Sequence, residues 1–244
     1  MNRLTLILVA LAISFQVAAQ ERERTPIGGR PNIPGDFFLD FGFNVLNNRP
    51  DDLGTRFFAS RVVNLYYQPS LNLGKNSGFT FNPGLGFGLE KLAFQDRQTL
   101  VPNLAVSPES SQLVPISSIY GDNIRVDVNT MSINYFDIPL EIRYHLNKSN
   151  YAKSVRFAIG GKFGLLYNAH TKIQVTDSDG LTQKVKNRQN YGLNPIRYGV
   201  YSRLGFPGFS LWGYYGLNGF FKEDRGPFGT NATQFNFGLS VTLF

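Results

Sequence analysis

Cysteine is absent from the 244 residues. That excludes disulfides, thiolate-bound metal and a lipid anchor on an N-terminal cysteine. Charged residues are scarce at 17%, against about a quarter in ordinary soluble domains. Beyond residues 1–19, no stretch supplies the roughly 20 continuous apolar residues of a spanning helix. If the mature chain enters a membrane it must do so as a closed barrel, which alone among sheets leaves no backbone group unpaired in lipid. Zinc-ligand spacings and a Walker-type loop are also missing, so no metal or cofactor is expected.

What is abundant is aromatic and small. Phe 22, Tyr 12 and Gly 25 favour strands on a pleated surface over helices. Residues 1–19 read as a secretory signal: Arg3 is the positive start, Leu4 to Phe15 the apolar core, and Val17-Ala18-Ala19 the small-residue cleavage site. Residues 20–35, charged and rich in Pro and Gly, read as a flexible periplasmic leader. A formal charge of +7 on an exported chain points to anionic lipid headgroups, not nucleic acid, as the nearer partner.

From Asp36 to Phe244 the pattern alternates with period two. Phe37, Leu39, Phe41, Phe43 and Val45 share one face of a first strand, with Phe38 the exception on the polar side. A second runs through Val63, Leu65, Tyr67, Leu71 and Leu73, and a third through Phe79, Phe81, Leu85, Phe87 and Leu89. The fourth sets Ile138, Leu140, Ile142 and Tyr144 against Asp137, Glu141, Arg143 and His145. The fifth sets Phe157, Ile159, Phe163 and Leu165 against Arg156, Lys162 and Gly164, and the sixth sets Tyr198, Val200 and Leu204 against Arg197 and Arg203. Phe209 to Phe221 and Phe235 to Leu243 complete eight. Long polar connections, about 95–128, 171–190 and 222–230 among them, alternate with short turns. An antiparallel eight-stranded up-and-down transmembrane barrel has this rhythm, with an even strand count and both termini in the periplasm.

The charges argue separately. Asp36, Asp40, Glu90, Asp137 and Glu141 lie in phase with the polar face, as do Arg143, Arg156, Lys162, Arg197 and Arg203. A basic side chain facing lipid at the midplane costs about 2–4 kcal/mol. Enclosed together, five acids and five bases can pair, which offsets much of their desolvation. The expectation is a charge-neutral lumen network in a barrel just wide enough to be filled by its own side chains.

The stretch Tyr135-Phe136-Asp137-Ile138-Pro139-Leu140-Glu141-Ile142-Arg143-Tyr144, followed by Ala158-Ile159-Gly160-Gly161-Lys162-Phe163-Gly164, resembles the small outer-membrane β-barrel ("porin family") proteins of Bacteroidetes. The signal ending Ala18-Ala19-Gln20 is similar to theirs. The resemblance implies an eight-stranded outer-membrane barrel of usually unassigned role. One branch, the PorT-like barrels, is tied to type IX secretion and gliding, and nothing in this sequence singles out that branch. Terminal Phe244 departs from the usual barrel-insertion signal: it shares phase with Thr242 and Ser240, while the apolar set ends at Leu243.

Little else carries chemistry. His145 and His170 fall at opposite ends of the barrel, about 20 Å or more apart along extended strands, too far to share a metal. Gly84-Leu85-Gly86-Phe87-Gly88 lies within a strand and not at a strand-to-helix turn, against a dinucleotide site. Lys172, Lys184, Lys186 and Arg188 fall in a loop near the outer headgroups, suited to lipopolysaccharide phosphates. Leu113, Val114, Ile116, Ile119 and Tyr120 give the 95–128 connection apolar character suited to a partner. The reading is a non-enzymatic barrel without catalytic residues: structural, or a platform for surface or secretion partners, inserted by the barrel-insertion machinery. A narrow ion or small-solute channel is one alternative. An outer-leaflet lipid A-modifying enzyme using His170 with Asp177, Ser178 and Asp179 is the other.

Overall fold

The computed structural model describes residues 35–243. The expected signal 1–19, the leader up to residue 34 and Phe244 lie outside the described residues. Thirteen strands follow in order: β1 (Asp36–Asn47), β2 (Arg61–Gln68), β3 (Leu71–Asn72), β4 (Phe79–Pro83), β5 (Leu85–Ala93), β6 (Gln98–Pro102), β7 (Ser111–Pro115), β8 (Ile124–His145), β9 (Arg156–Asp177), β10 (Thr182–Arg188), β11 (Ile196–Gly205), β12 (Phe209–Gly219) and β13 (Thr233–Thr242).

Eight antiparallel staves close on themselves: β1 pairs β2, and the circuit returns through β5, β8, β9, β11, β12 and β13 to β1. β4 and β5 form one stave. Their register against β8 runs through Gly84 without a slip, because the Gly84 N–H donates to the Pro139 carbonyl at 2.8 Å, while Pro139 has no N–H to return the bond.

The sequence pattern misplaced three stretches. The second strand stops at Gln68, before Pro69, and Leu71–Asn72 instead pairs back onto β4. The 95–128 connection is not structureless: it holds the β6–β7 hairpin, a one-turn helix at Ser117–Tyr120 and the start of β8. The 171–190 loop is also largely strand, since β9 runs on to Asp177 and turns back as β10. These segments carry polar residues on an exposed face, so their composition reads as loop although their backbone is paired.

The apolar face points outward. Leu211 is 61% exposed while Arg203, on the neighbouring strand, is 2% exposed. A soluble sandwich has the opposite arrangement, with apolar faces packed together and charges in water. Transmembrane strands need about 9–11 residues, and the outward run Phe157, Ile159, Phe163, Leu165, Tyr167 on β9 has that length. Aromatic pairs mark both borders of the band: Phe79 packs on Tyr144 at 4.7 Å near the short turns, and Phe43 stacks on Phe57 at 4.6 Å near the long loops. Such girdles sit at headgroup level.

Above the band the interior changes character. Leu46, Leu92, Phe94, Ile133, Leu193 and Phe221 belong to one buried apolar cluster that caps the barrel at its long-loop end. A register shift lets this happen. Asn134 faces Asn168 but Tyr135 faces Leu166, which leaves Tyr167 as the extra residue of a β-bulge on β9. Beyond it the inward phase passes to Ala169, Thr171, Ile173 and Val175, all buried.

Candidate functional site

The ten charged residues expected in the lumen are all buried inside the barrel, in three tiers. Nearest the short turns, the Asp36 carboxylate accepts from Arg143 Nη1 at 2.7 Å and from Arg156 Nη1 at 3.4 Å. Arg143 also donates from Nε to Glu141 Oε1 at 3.0 Å, and Arg156 Nη2 donates to Thr242 Oγ1 at 2.9 Å. Phe38, out of phase in the sequence pattern, lies at the middle of this tier. The guanidinium carbons of Arg143, Arg156 and Arg203 stand 5.4, 5.7 and 4.0 Å from its ring centroid. A benzene face attracts cations, so a phenylalanine among arginines acts here as a ligand for positive charge.

In the second tier Asp40 meets Arg203, Nη1 to Oδ1 at 3.2 Å. Arg203 also donates to Ser240 and to Tyr201, and its Nε lies 3.9 Å from Glu141 Oε2, joining the two tiers. The third tier centres on Arg197, which binds Asp137 through Nη2 at 2.7 Å and Nε at 3.1 Å and also donates to Glu90. Glu90 further accepts from Asn44 at 3.2 Å, from Asn236 at 2.9 Å and from Gln234. Lys162 is held differently. Its ammonium sits 3.8 Å from the Tyr214 ring centroid and 3.5 Å from the Tyr66 hydroxyl, which itself donates to Asp137 at 2.7 Å.

Two glycines make the third tier possible. A Cβ on Gly164 would run into Asp137 and the Arg197 side chain, and one on Gly88 would meet the same two groups. The network's phenols, Tyr66, Tyr135, Tyr201 and Tyr214, escaped the sequence reading, which set aromatics on the lipid side. Their phase was the available signal: Tyr66 is in phase with Asn64 and Gln68, and Tyr201 with Arg203 and Arg197.

The other expected residues lie elsewhere. Lys172, Lys184, Lys186 and Arg188 share the outward face of the β9–β10 ribbon with His170, since Lys186 pairs Lys172 and Arg188 pairs His170. None touches the lumen network. Ser178 and Asp179 sit at the far tip of this ribbon, where the Asp177 carboxylate caps the turn by accepting from the N–H groups of Asp179 and Leu181, each at 2.9 Å. Asp177 is seven positions along the strand from His170, roughly 20 Å. The fold therefore does not assemble His170, Asp177 and Ser178 into a catalytic group. His145, at the short-turn end, stacks on Tyr151 at 4.3 Å. Among the described residues no cluster of His, Asp and Glu has the makings of a metal site.

A closed antiparallel barrel, apolar outside and ionic within, matches along residues 19–222 a family described as outer membrane protein beta-barrel domain. The chain belongs to that family. As a member of the outer-membrane β-barrel family it resides in the outer membrane, with lipid against its aromatic and aliphatic surface. Among solved structures it is similar to Ail, the attachment invasion locus protein of Yersinia pestis. The complex of Ail with the heparin analogue sucrose octasulfate matches at 10% identity and a TM-score of 0.35, covering 86% of this chain and 98% of that one. A second Ail crystal structure gives 13% identity and a TM-score of 0.36 at the same coverage. No curated protein matches this member of the family.

Proposed function

We propose that this barrel is a non-enzymatic platform: a rigid anchor that holds its long-loop end outside the cell for a surface or secretion partner, with the short turns and both termini in the periplasm. The observation that carries the reading is a filled interior. Arg143, Arg203, Lys162, Glu90 and Asp137 are each no more than 2% exposed, and the apolar cap closes the end above them. A small barrel packed with side chains is a stiff support and a poor conduit. Above the wall lie the β6–β7 hairpin, whose Leu100 and Leu113 pack into the apolar cap, and the β8–β9–β10 ribbon, and on their outer faces a partner would bind. Lipid and lipopolysaccharide surround the wall; the barrel-insertion machinery is the partner during biogenesis.

Two experiments test the proposal. In planar bilayers the refolded protein is expected to give no steady single-channel steps; reproducible steps would return the narrow-channel reading. Orientation is open to labelling because the chain has no native cysteine. Gly180→Cys, at the ribbon tip, should react with an impermeant maleimide on intact cells, and Ser149→Cys, in the turn between β8 and β9, only after the outer membrane is breached. The reverse pattern overturns the orientation. An envelope or secretion protein captured with the full barrel, and lost when the β6–β7 hairpin is shortened, would identify the partner.

A further inference from the structure

The outward surface changes abruptly over three consecutive cross-strand rows. Leu39, Leu65, Phe87, Phe136, Leu165 and Ile196 are direct neighbours across six strands and wholly apolar. One step toward the long loops, about 7 Å along the strands, the row reads Phe41, Val63, Leu89, Asn134, Asn168. One step further it reads Phe43, Arg61, Lys91, Ser132, His170, Arg188. Lys172 and Lys186, themselves directly paired, stand just above its β9–β10 end.

Arg61 against Lys91 and Lys172 against Lys186 are like-charge pairs placed directly opposite one another, which antiparallel sheets disfavour. Among the described residues none of these four, nor Arg188, joins an ion pair with a carboxylate. Arg61 is held in place by its Nε, which donates to the Phe58 carbonyl at 2.9 Å, so the rest of its guanidinium fork is left for a ligand. Beside it, Phe57 and Phe58 project their rings from the same turn, and Phe58 is 74% exposed. Cations in a band just above lipid-facing Leu and Phe, with rings at one flank, lie where headgroup phosphates lie.

We infer that this row is a binding site for the phosphates of lipid A in the outer leaflet, with Arg61 and Lys91 forming one half and Lys172, Lys186 and Arg188 the other. A phosphate between two cations relieves their repulsion and accepts charge-assisted hydrogen bonds from both. The acyl chains of the same lipid then descend over Val63, Leu89 and Phe87. The outer-leaflet assignment rests on the orientation proposed above; the phosphate recognition does not, and it can be measured without a cell.

The full-length protein is reconstituted in nanodiscs of neutral phospholipid carrying a small fraction of lipid A, and lipid retained after detergent extraction is counted by native mass spectrometry. Bisphosphorylated lipid A should be retained, and dephosphorylated lipid A retained about tenfold less, the loss expected for one charge-assisted contact. Replacing the five cations together (Arg61→Gln, Lys91→Gln, Lys172→Gln, Lys186→Gln, Arg188→Gln) should abolish the difference. Heat-dependent gel mobility checks that this variant folds, and the comparison of the two lipids on the wild type stands without it. Equal retention of the two lipids by the wild type, or unchanged discrimination by a folded variant, overturns the site. So does displacement of lipid A by inorganic phosphate or a soluble polyphosphate at equal phosphate concentration, which would assign the row to free anions. Loss of discrimination with normal surface labelling at Gly180→Cys separates failure of this site from failure of the orientation.

Discussion

Asp137 and Arg197 bind each other at 2.7 Å across a strand that belongs to neither: Asp137 is on β8, Arg197 on β11, and Gly164 of β9 lies between them in one cross-strand row. The bond exists because that middle position has no side chain. Gly164→Val would push into both partners. It is expected to lower stability by about 1–3 kcal/mol as overpacking does, read as an earlier urea midpoint for unfolding from lipid vesicles. Gly161→Ala is the control. That glycine faces outward, and its nearest neighbour, the Gly199 carbonyl oxygen, would lie at 3.8 Å, so the midpoint should stay in place.

Arg197 serves Glu90 and Asp137 at once, whereas Lys162 is held mainly by aromatic rings and phenol. The two bases should therefore answer differently to removal of their charge. Arg197→Met leaves two buried carboxylates without their cation and should cost about 3–5 kcal/mol. Adding Glu90→Gln to it should restore much of the loss, because the lumen then holds four acids and four bases, with Lys162 next to Asp137 through the Tyr66 hydroxyl. Lys162→Met should shift the urea midpoint far less. If both single variants lose equally, the network is not centred on Arg197.

The wall of the barrel was written in period-two alternation, and the charges in phase with Asp137 and Arg197 indicated the inside. Where one phase held along a strand, as on β8 from Asp137 to Arg143, side-chain placement followed from counting. Two physical causes broke the count. The bulge at Tyr167 shifts the phase of β9 by one, so Lys172 faces outward like Phe163 only after a change from odd to even positions. Along a single phase of β8 the interior also turns from Glu141 and Asp137 to Tyr135, Ile133 and Met131. Alternation says which residues share a face; it does not say that one face keeps one polarity from end to end. The cationic row was out of reach for a further reason. Arg61 and Lys91 are thirty positions apart in sequence, and only the register of β2 on β5 makes them neighbours.

Outside the band, the loop ends are tied by a pair that should respond to pH. Glu109 accepts from Lys222 Nζ at 2.6 Å. That hydrogen bond and the ammonium charge hold the Glu109 carboxyl below its ordinary value of 4.5. A depressed folded value means that the contact contributes above the unfolded carboxylate range and is lost as pH falls through the folded one. The neighbouring Ser111 N–H, bonded to the Arg225 carbonyl at 2.9 Å, should lose hydrogen-exchange protection across that acidic window. Glu109 is well exposed and Lys222 half-buried, so the effect is local and small. Lys222→Met should remove the pH step while leaving the barrel strands protected.

The outward direction of the apolar face can be tested at single positions on β8. Leu140 lies midway along the lipid-facing run from Phe136 to Tyr144, and Glu141 beside it points into the lumen, where Arg143 binds it at 2.9 Å. Leu140→Arg puts a cation into the middle of the hydrocarbon and should cost about 2–4 kcal/mol in folding into vesicles, while Tyr144→Arg at the border should cost about 0–1 kcal/mol, since the penalty depends on depth. A soluble fold with that face in water would tolerate both alike. Equal, small losses at the two positions would therefore remove the membrane from Leu140, and with it the reason for the ionic interior.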